Sequence, residues 1–185
     1  MFTPRWLGWT IDPEQLRRLR LLESVPLFAG LSRRQLGKVL VKLFEKAYQA
    51  GDTIFAEGDP GKALFIILDG KVSIYRKGSG GEYRLTTLIP GGYFGELALI
   101  DDQPRLAAAR ADEHSVLLIL YKAHFDDLIE GHGAIVIRVM GNLLKTLAGY
   151  VRTAQVPSAQ RGETTLQAGV AAPEQREMPG RGGGR

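Results

Sequence analysis

Gly91-Gly92-Tyr93-Phe94-Gly95-Glu96-Leu97-Ala98-Leu99-Ile100-Asp101-Asp102-Gln103-Pro104-Arg105-Leu106-Ala107-Ala108-Ala109-Arg110-Ala111 is the stretch on which the reading of this chain turns. It sets a glycine turn, a short apolar segment with one carboxylate, and one arginine close together. Gly95 lets backbone approach a ligand with no Cβ in the way. If Glu96 to Ile100 form one helical turn, the first N–H groups are unpaired and favour an anion. Arg105 adds a forked donor that matches phosphate oxygens, which lysine would not reproduce. Glu96 would repel a phosphate, so its use is as an acceptor for a hydroxyl. An ion pair with Glu96 would also hold Arg105 in place. A ligand with both phosphate and hydroxyl, such as a nucleotide, would employ the whole set. The same residues also suit a solvated surface turn, and their spacing alone does not choose.

The flanking sequence reads as a β-domain between helices. Short apolar or alternating runs occupy 46–49, 53–56, 63–68, 72–76, 83–88, 106–111 and 116–121. Turn signals separate them: Gly51-Asp52, Gly58 to Gly61, Asp69-Gly70, Gly78 to Gly81 and Pro90-Gly91-Gly92. Many short strands at such spacing predict an antiparallel sandwich, roll or barrel. Asp69-Gly70 between two apolar runs predicts a hairpin, because that dipeptide accepts positive φ.

Upstream, Asp12-Pro13 signals a helix start. Leu16, Leu19 and Leu22 follow at helical spacing. Ser32 with Gln35 forms a capping-box pattern for a second helix. Downstream, 122–130 reads as a short helix, Gly131 and Gly133 as a joint, and 134 to about 155 as a long helix. Val136, Met140, Leu143, Leu147 and Tyr150 make a near-heptad seam there, widened by Val139, Leu144 and Val151. So broad a stripe must lie on the strands or pair with its copy in a second chain.

Composition narrows the function classes. The chain has 185 residues, 44% hydrophobic, with no cysteine and a net charge of +4. Disulfides and thiolate metal sites are excluded, and the basic residues are too dispersed for a nucleic-acid patch. His114, His124 and His132 lack metal-ligand spacing, and no nucleophile–base arrangement stands out, so an enzyme is not expected. The apolar stretch after Gly133 is broken by Arg138, Asn142 and Lys145, a poor membrane span. With no signal-peptide pattern at the start, a cytoplasmic location is expected. Residues 1–11 hold Trp6 and Trp9 and read as an extension that packs on the domain or its dimer partner. Residues 155–185 are rich in Gly, Pro, Gln and Thr and read as a disordered tail. The domain itself is expected over 12–154.

Phe94–Ala111 closely resembles the phosphate-binding cassette of cyclic-nucleotide-binding domains. That family includes bacterial catabolite activator proteins, cyclic-AMP-dependent protein kinase regulatory subunits and cyclic-nucleotide-gated channels. Ser24-Val25-Pro26-Leu27-Phe28 with Leu31-Ser32, Gly51-Asp52-Thr53-Ile54, Glu57-Gly58-Asp59, and Phe65-Ile66-Ile67 to Gly70-Lys71-Val72 resemble its other landmarks. The fold implied is mostly β: an antiparallel, jelly-roll-like β-roll with an inserted cassette helix, an N-terminal helical bundle and a long C-terminal helix. The resemblance assigns Glu96 to the ribose 2′-hydroxyl and Arg105 to the cyclic phosphate. It assigns the N–H groups of Leu97, Ala98 and Ala107 to the phosphate and sugar, with Gly95 permitting the approach. Leu106 stands where the family carries a small residue, so a hydroxyl contact is lost and bulk is added at the pocket. Ala108 replaces a threonine that often favours cyclic GMP, which makes cyclic AMP the preferred ligand; no other cofactor is implied. Tyr150, on the helix that caps the base in the family, is the stacking candidate, or else a dimer-seam residue.

No winged helix–turn–helix pattern follows the long helix, so no DNA-binding domain is recognised. The implied role is a regulatory sensor. Ligand would move the C-terminal helix and thereby change contacts with a homodimer partner or a separate effector through 134–152. The alternatives are a ligand-independent interaction module of the same fold and a truncated transcriptional regulator of the catabolite-activator type.

Overall fold

The structure, a computed structural model, describes residues 12–154. The Trp-containing extension and the Gly/Pro-rich tail lie outside the described residues. Two helices lead in. In α1 (Pro13–Ser24) the Asp12 carboxylate accepts from the Glu14 N–H at 3.1 Å, and Pro13 takes the first helical position. In α2 (Arg33–Leu40) Ser32 and Gln35 form both halves of the capping box. Between them a 3-10 helix, Pro26–Phe28, buries Leu27 and Phe28.

Eight strands follow: β1 (Phe44–Tyr48), β2 (Thr53–Phe55), β3 (Ala63–Asp69), β4 (Val72–Gly78), β5 (Gly81–Leu88), β6 (Tyr93–Phe94), β7 (Ala108–Ala111) and β8 (Ser115–Tyr121). They form two antiparallel four-stranded sheets, ordered β1-β8-β3-β6 and β2-β7-β4-β5. The β-roll expected from sequence is therefore present.

Alternation builds the layers. On β3 and β8, Leu64, Ile66, Leu68, Leu118 and Leu120 face the helices, while Phe65, Ile67, Leu117 and Ile119 face the second sheet. Both faces of β3 are covered, which is why Ala63–Leu68 reads as an unbroken apolar run rather than an alternating one. The second sheet contributes Val72, Leu88, Ala109 and Ala111 to the inter-sheet core.

Three details differ from the sequence reading. Asp69-Gly70 does turn the chain, with Gly70 at φ 84°, but β3 and β4 belong to different sheets. The turn is a corner and not a hairpin. A Cβ on Gly70 would collide with the His114 carbonyl and Ser115. The Ser115 hydroxyl also accepts from the Lys71 N–H, so the crossing is fixed by β8. The hairpin is β4–β5, closed where Gly78 pairs with Gly81. Secondly, Leu106 and Ala107 are not in β7, because Arg105 backbone is tied to the preceding loop. Its N–H donates to the Asp59 carbonyl at 2.8 Å, and its carbonyl accepts from the Gly58 N–H at 2.9 Å. Thirdly, the two-residue β6 went unrecognised within the glycine-rich turn.

After β8, α3 (Lys122–Gly131) stops at His132, and α4 (Gly133–Ala154) begins. The expected seam faces inward: Val136, Val139 and Leu143 are buried, with Met140 and Leu147 packed against the same core. Leu144 and Val151, grouped with that seam from spacing, point outward instead.

Candidate functional site

Phe94 ends β6, and the chain then turns sharply at Gly95, at φ 74° and ψ 20°. A Cβ there would sit 2.5 Å from Arg105 Nη1 and 3.1 Å from the Ala63 carbonyl oxygen. Glycine is thus required twice, for the left-handed backbone and for the arginine packed on it. The turn starts the 3-10 helix Glu96–Leu99, as expected from the sequence. Its Ala98 N–H donates back to the Gly95 carbonyl at 3.3 Å. The N–H groups of Leu97 and Ala107 have no partner among the described residues.

Arg105 is 9% exposed. Its Nη2 donates to the Ala63 carbonyl at 2.8 Å and its Nη1 to the Gly95 carbonyl at 3.2 Å. Phe55 lies 4.1 Å from the guanidinium carbon and Phe65 5.5 Å. Nε is buried without a partner. The expected ion pair with Glu96 does not form; backbone carbonyls and an aromatic face hold the arginine instead. Burial pulls its pKa below the ordinary arginine value, opposed by the nearby Glu96 and Asp59 carboxylates. Its hydrogen-bond partners are neutral carbonyls, and no carboxylate pairs with it directly.

Glu96 is 6% exposed. Burial pushes its pKa up. Its own backbone N–H, the Tyr150 hydroxyl and Arg105 act the other way. The Tyr150 hydroxyl donates to Glu96 Oε1 at 3.1 Å, across from α4. Burial, then the Glu96 charge and the neighbouring Tyr93, drive the Tyr150 pKa upward, so its proton stays on as a donor. Two further contacts fasten the same helix: Tyr93 Oη and Thr146 Oγ1 lie 2.9 Å apart, and Asn142 Nδ2 donates to the Leu27 and Ala29 carbonyls at 3.0 and 2.9 Å. Asn142, Thr146 and Tyr150 recur every fourth residue, so they line one edge of α4.

Seven of the eight residues singled out from sequence, namely Gly95, Glu96, Leu97, Ala98, Arg105, Leu106 and Ala107, line one hollow of about 470 Å³. Phe55, Ile74, Phe94 and Pro104 supply apolar wall, and Gly61, Asp101 and Gln103 complete the lining. Leu106 lines the hollow and is 64% exposed. Tyr150, the eighth, is not among the lining residues; it reaches the site through its hydroxyl on Glu96. Sequence reasoning missed Phe55, Ala63 and Thr146. Phe55 could have been suspected as an aromatic beside the glycine loop. The Ala63 carbonyl leaves no trace in side-chain identity.

Residues 45–132 match the model of the family described as "cyclic nucleotide-binding domain". The cyclic AMP receptor protein of Thermus thermophilus is 37% identical over 109 residues, which is 58% of this chain and 50% of that protein. The chain thus spans half the length of that relative. The N-terminal domain of a transcriptional regulator from Streptomyces coelicolor superposes with a TM-score of 0.65 at 29% identity, covering 73% of this chain and 94% of that one. The regulatory domain of Toxoplasma gondii protein kinase A, solved with cyclic AMP, superposes with a TM-score of 0.59 at 30% identity, over 63% and 45% of the two chains.

Proposed function

Since residues 45–132 place the chain in the cyclic nucleotide-binding domain family, we propose that it is a regulatory module that binds a cyclic nucleotide, cyclic AMP in preference to cyclic GMP, in the hollow beneath Arg105. The functional unit runs over 12–154, and binding itself is its task; no chemical step on the phosphodiester is assigned. The observation that carries the reading is a buried guanidinium held only by carbonyls and an aromatic ring, beside two unpartnered N–H groups. A cyclic phosphate supplies the anion that Arg105 lacks, each charge-assisted bond contributing about 1.5–3 kcal/mol. The N–H groups of Leu97 and Ala107 donate to the same ligand. The Ala98 N–H, already used inside the turn, contributes less than the sequence suggested. The printed names of relatives support the ligand class: one is a cyclic AMP receptor and one was crystallised with cyclic AMP.

Glu96 takes the ribose 2′-hydroxyl. A carboxylate accepts at two oxygens, and Tyr150 engages Oε1. The remaining acceptor capacity serves the sugar, so ligand and α4 hold the same side chain. Binding changes the position or mobility of Glu96, and Tyr150 passes that change to the last turns of α4. The ligand shifts this equilibrium only by its differential affinity for the two helix arrangements. Tyr150 in this reading is a tether and not primarily a stacking ring. The output is a change in the surface that α4 offers to a partner. A cytoplasmic location is part of this reading.

Equilibrium dialysis with labelled cyclic AMP and cyclic GMP tests the reading. One cyclic AMP per chain, bound more tightly than cyclic GMP, is the expected result. Folded protein that retains neither nucleotide would refute it and favour the ligand-independent module.

A further inference from the structure

The outer face of α4 carries a second pattern, distinct from the seam that packs on the core. Ala134, Ile137, Gly141, Leu144, Ala148 and Val151 recur at alternating steps of three and four residues. With Ala134 at heptad position a, these are successive a and d positions, small at a and branched aliphatic at d. All are at least partly exposed, and Ile137, Leu144 and Val151 are 77%, 65% and 57% exposed. A Cβ added at Gly141 would meet nothing within 4 Å. Arg138, Lys145 and Arg152 repeat at seven-residue intervals along one border, at position e. Each is exposed and makes no hydrogen bond or ion pair among the described residues. The helix contains no aspartate or glutamate.

Shape and charge together select the occupant. Among the described residues α4 is the one helix long and apolar enough to cross a membrane by length and composition, with mean hydropathy 1.3. Its other side, however, belongs to the domain core, so the free apolar strip is only the a/d seam. A strip that narrow fits a second helix, whereas a helix lying in a bilayer presents a broader apolar face. Small residues at a allow such a helix to approach closely. A second copy of α4 would bring no carboxylate to the basic row. Packed antiparallel, it would set basic row against basic row; packed parallel, it would set that row against Gly133, Met140 and Leu147, with no carboxylate in reach.

We propose that the outer face of α4 docks an acidic amphipathic helix of another protein, whose apolar residues enter the Ile137/Leu144/Val151 seam and whose carboxylates pair with Arg138, Lys145 and Arg152. This names the partner class for the output surface proposed above and rests on α4 being that surface. It does not depend on which nucleotide binds, so failure of either reading is visible without the other.

The test uses the full chain at about 0.15 M salt and a fluorescein-labelled helical peptide of about three heptads. That peptide has leucine at a and d and glutamate at e and g; a companion carries lysine in place of each glutamate. Anisotropy should show the acidic peptide binding at least about tenfold tighter than the basic one, with affinity falling as salt rises. Leu144→Ser should weaken it. The combined reversal Arg138→Glu, Lys145→Glu and Arg152→Glu should invert the preference, and unchanged melting of these surface variants confirms the fold. Equal or absent binding of the two peptides overturns the proposal. So does sedimentation equilibrium revealing a dimer that Leu144→Ser dissolves, which would give the face to a second copy. Co-sedimentation with phosphatidylcholine/phosphatidylserine vesicles that Leu144→Ser abolishes would give it to an anionic bilayer, and also overturns it.

Discussion

Arg105 and Arg110 lie five residues apart on the same run of chain, and their surroundings differ in kind. Arg110 is half-exposed, contacts both carboxylate oxygens of Glu82 at 3.1 and 3.4 Å, and covers the Tyr75 ring at 4.8 Å. Arg105 is buried against Phe55, has carbonyls for partners, and keeps its Nε N–H buried and unpaired. Both stack on an aromatic face. Only Arg110 is paired directly with a carboxylate; Glu96 and Asp59 lie near Arg105 without bonding it. A cation neutralised within the chain is part of the scaffold. A buried cation given only neutral acceptors is held in place for an anion from outside, because burying an unanswered charge costs stability that structure alone does not return.

The sharpest way to break this comparison is to truncate each arginine. Arg105→Ala should weaken cyclic AMP binding by about a hundredfold, from the loss of two charge-assisted bonds. Arg110→Ala should leave affinity unchanged and lower stability by less than about 1 kcal/mol, as for other exposed ion pairs. Equal effects on binding would dissolve the distinction.

Gly95→Ala probes the cradle beneath the arginine. The left-handed backbone and the 2.5 Å approach to Arg105 Nη1 predict a loss of about 1–3 kcal/mol in urea unfolding, with weaker ligand binding. A variant as stable as the parent would mean that Arg105 can move away freely, contrary to its tight seating.

Tyr150→Phe removes one hydrogen bond while keeping the ring. Stability should fall by about 0.5–1.5 kcal/mol. Hydrogen exchange in the last turns of α4 should lose its response to cyclic AMP. A response that persists would move the coupling from the hydroxyl to the ring, which is the stacking role that the family resemblance suggests.

The smallest effect concerns Glu96. Its folded pKa is raised by burial, so the folded state takes up this proton more readily than the unfolded one. The carboxylate therefore detracts from stability above its folded pKa. That penalty is relieved as pH falls through the folded value toward the ordinary one. Glu96→Gln keeps an acceptor for Tyr150 and should raise the melting midpoint near neutral pH, with the difference from the parent shrinking under acid. A difference that grows under acid would reverse the assigned direction.

The β-roll was legible because its signals are local. Alternating strands, glycine turns and two helix caps each act over a few residues, and both caps form as read. The Asp69-Gly70 corner was misread because a turn dipeptide specifies backbone sign and not which sheet receives the next strand. That choice is made by Ser115, forty-five residues downstream of Gly70. The site followed the same rule. The seven lining residues read from sequence sit within thirteen consecutive positions, so one motif exposes them. The carbonyls that hold Arg105 and the Tyr150–Glu96 bond arise from tertiary placement, which side-chain identity does not encode. The two faces of α4 were merged for a related reason: one helix carries two overlapping apolar periods, and only packing decides which is covered.

The claim that Arg105 awaits a cyclic phosphate is tested most directly by calorimetric titration of cyclic AMP into the parent chain, Arg105→Ala and Arg110→Ala under identical conditions. The account predicts one saturable site in the parent and in Arg110→Ala, and binding lost or at least about a hundredfold weaker in Arg105→Ala. Absence of binding to the folded parent at high micromolar nucleotide, or equal binding by all three, would contradict it.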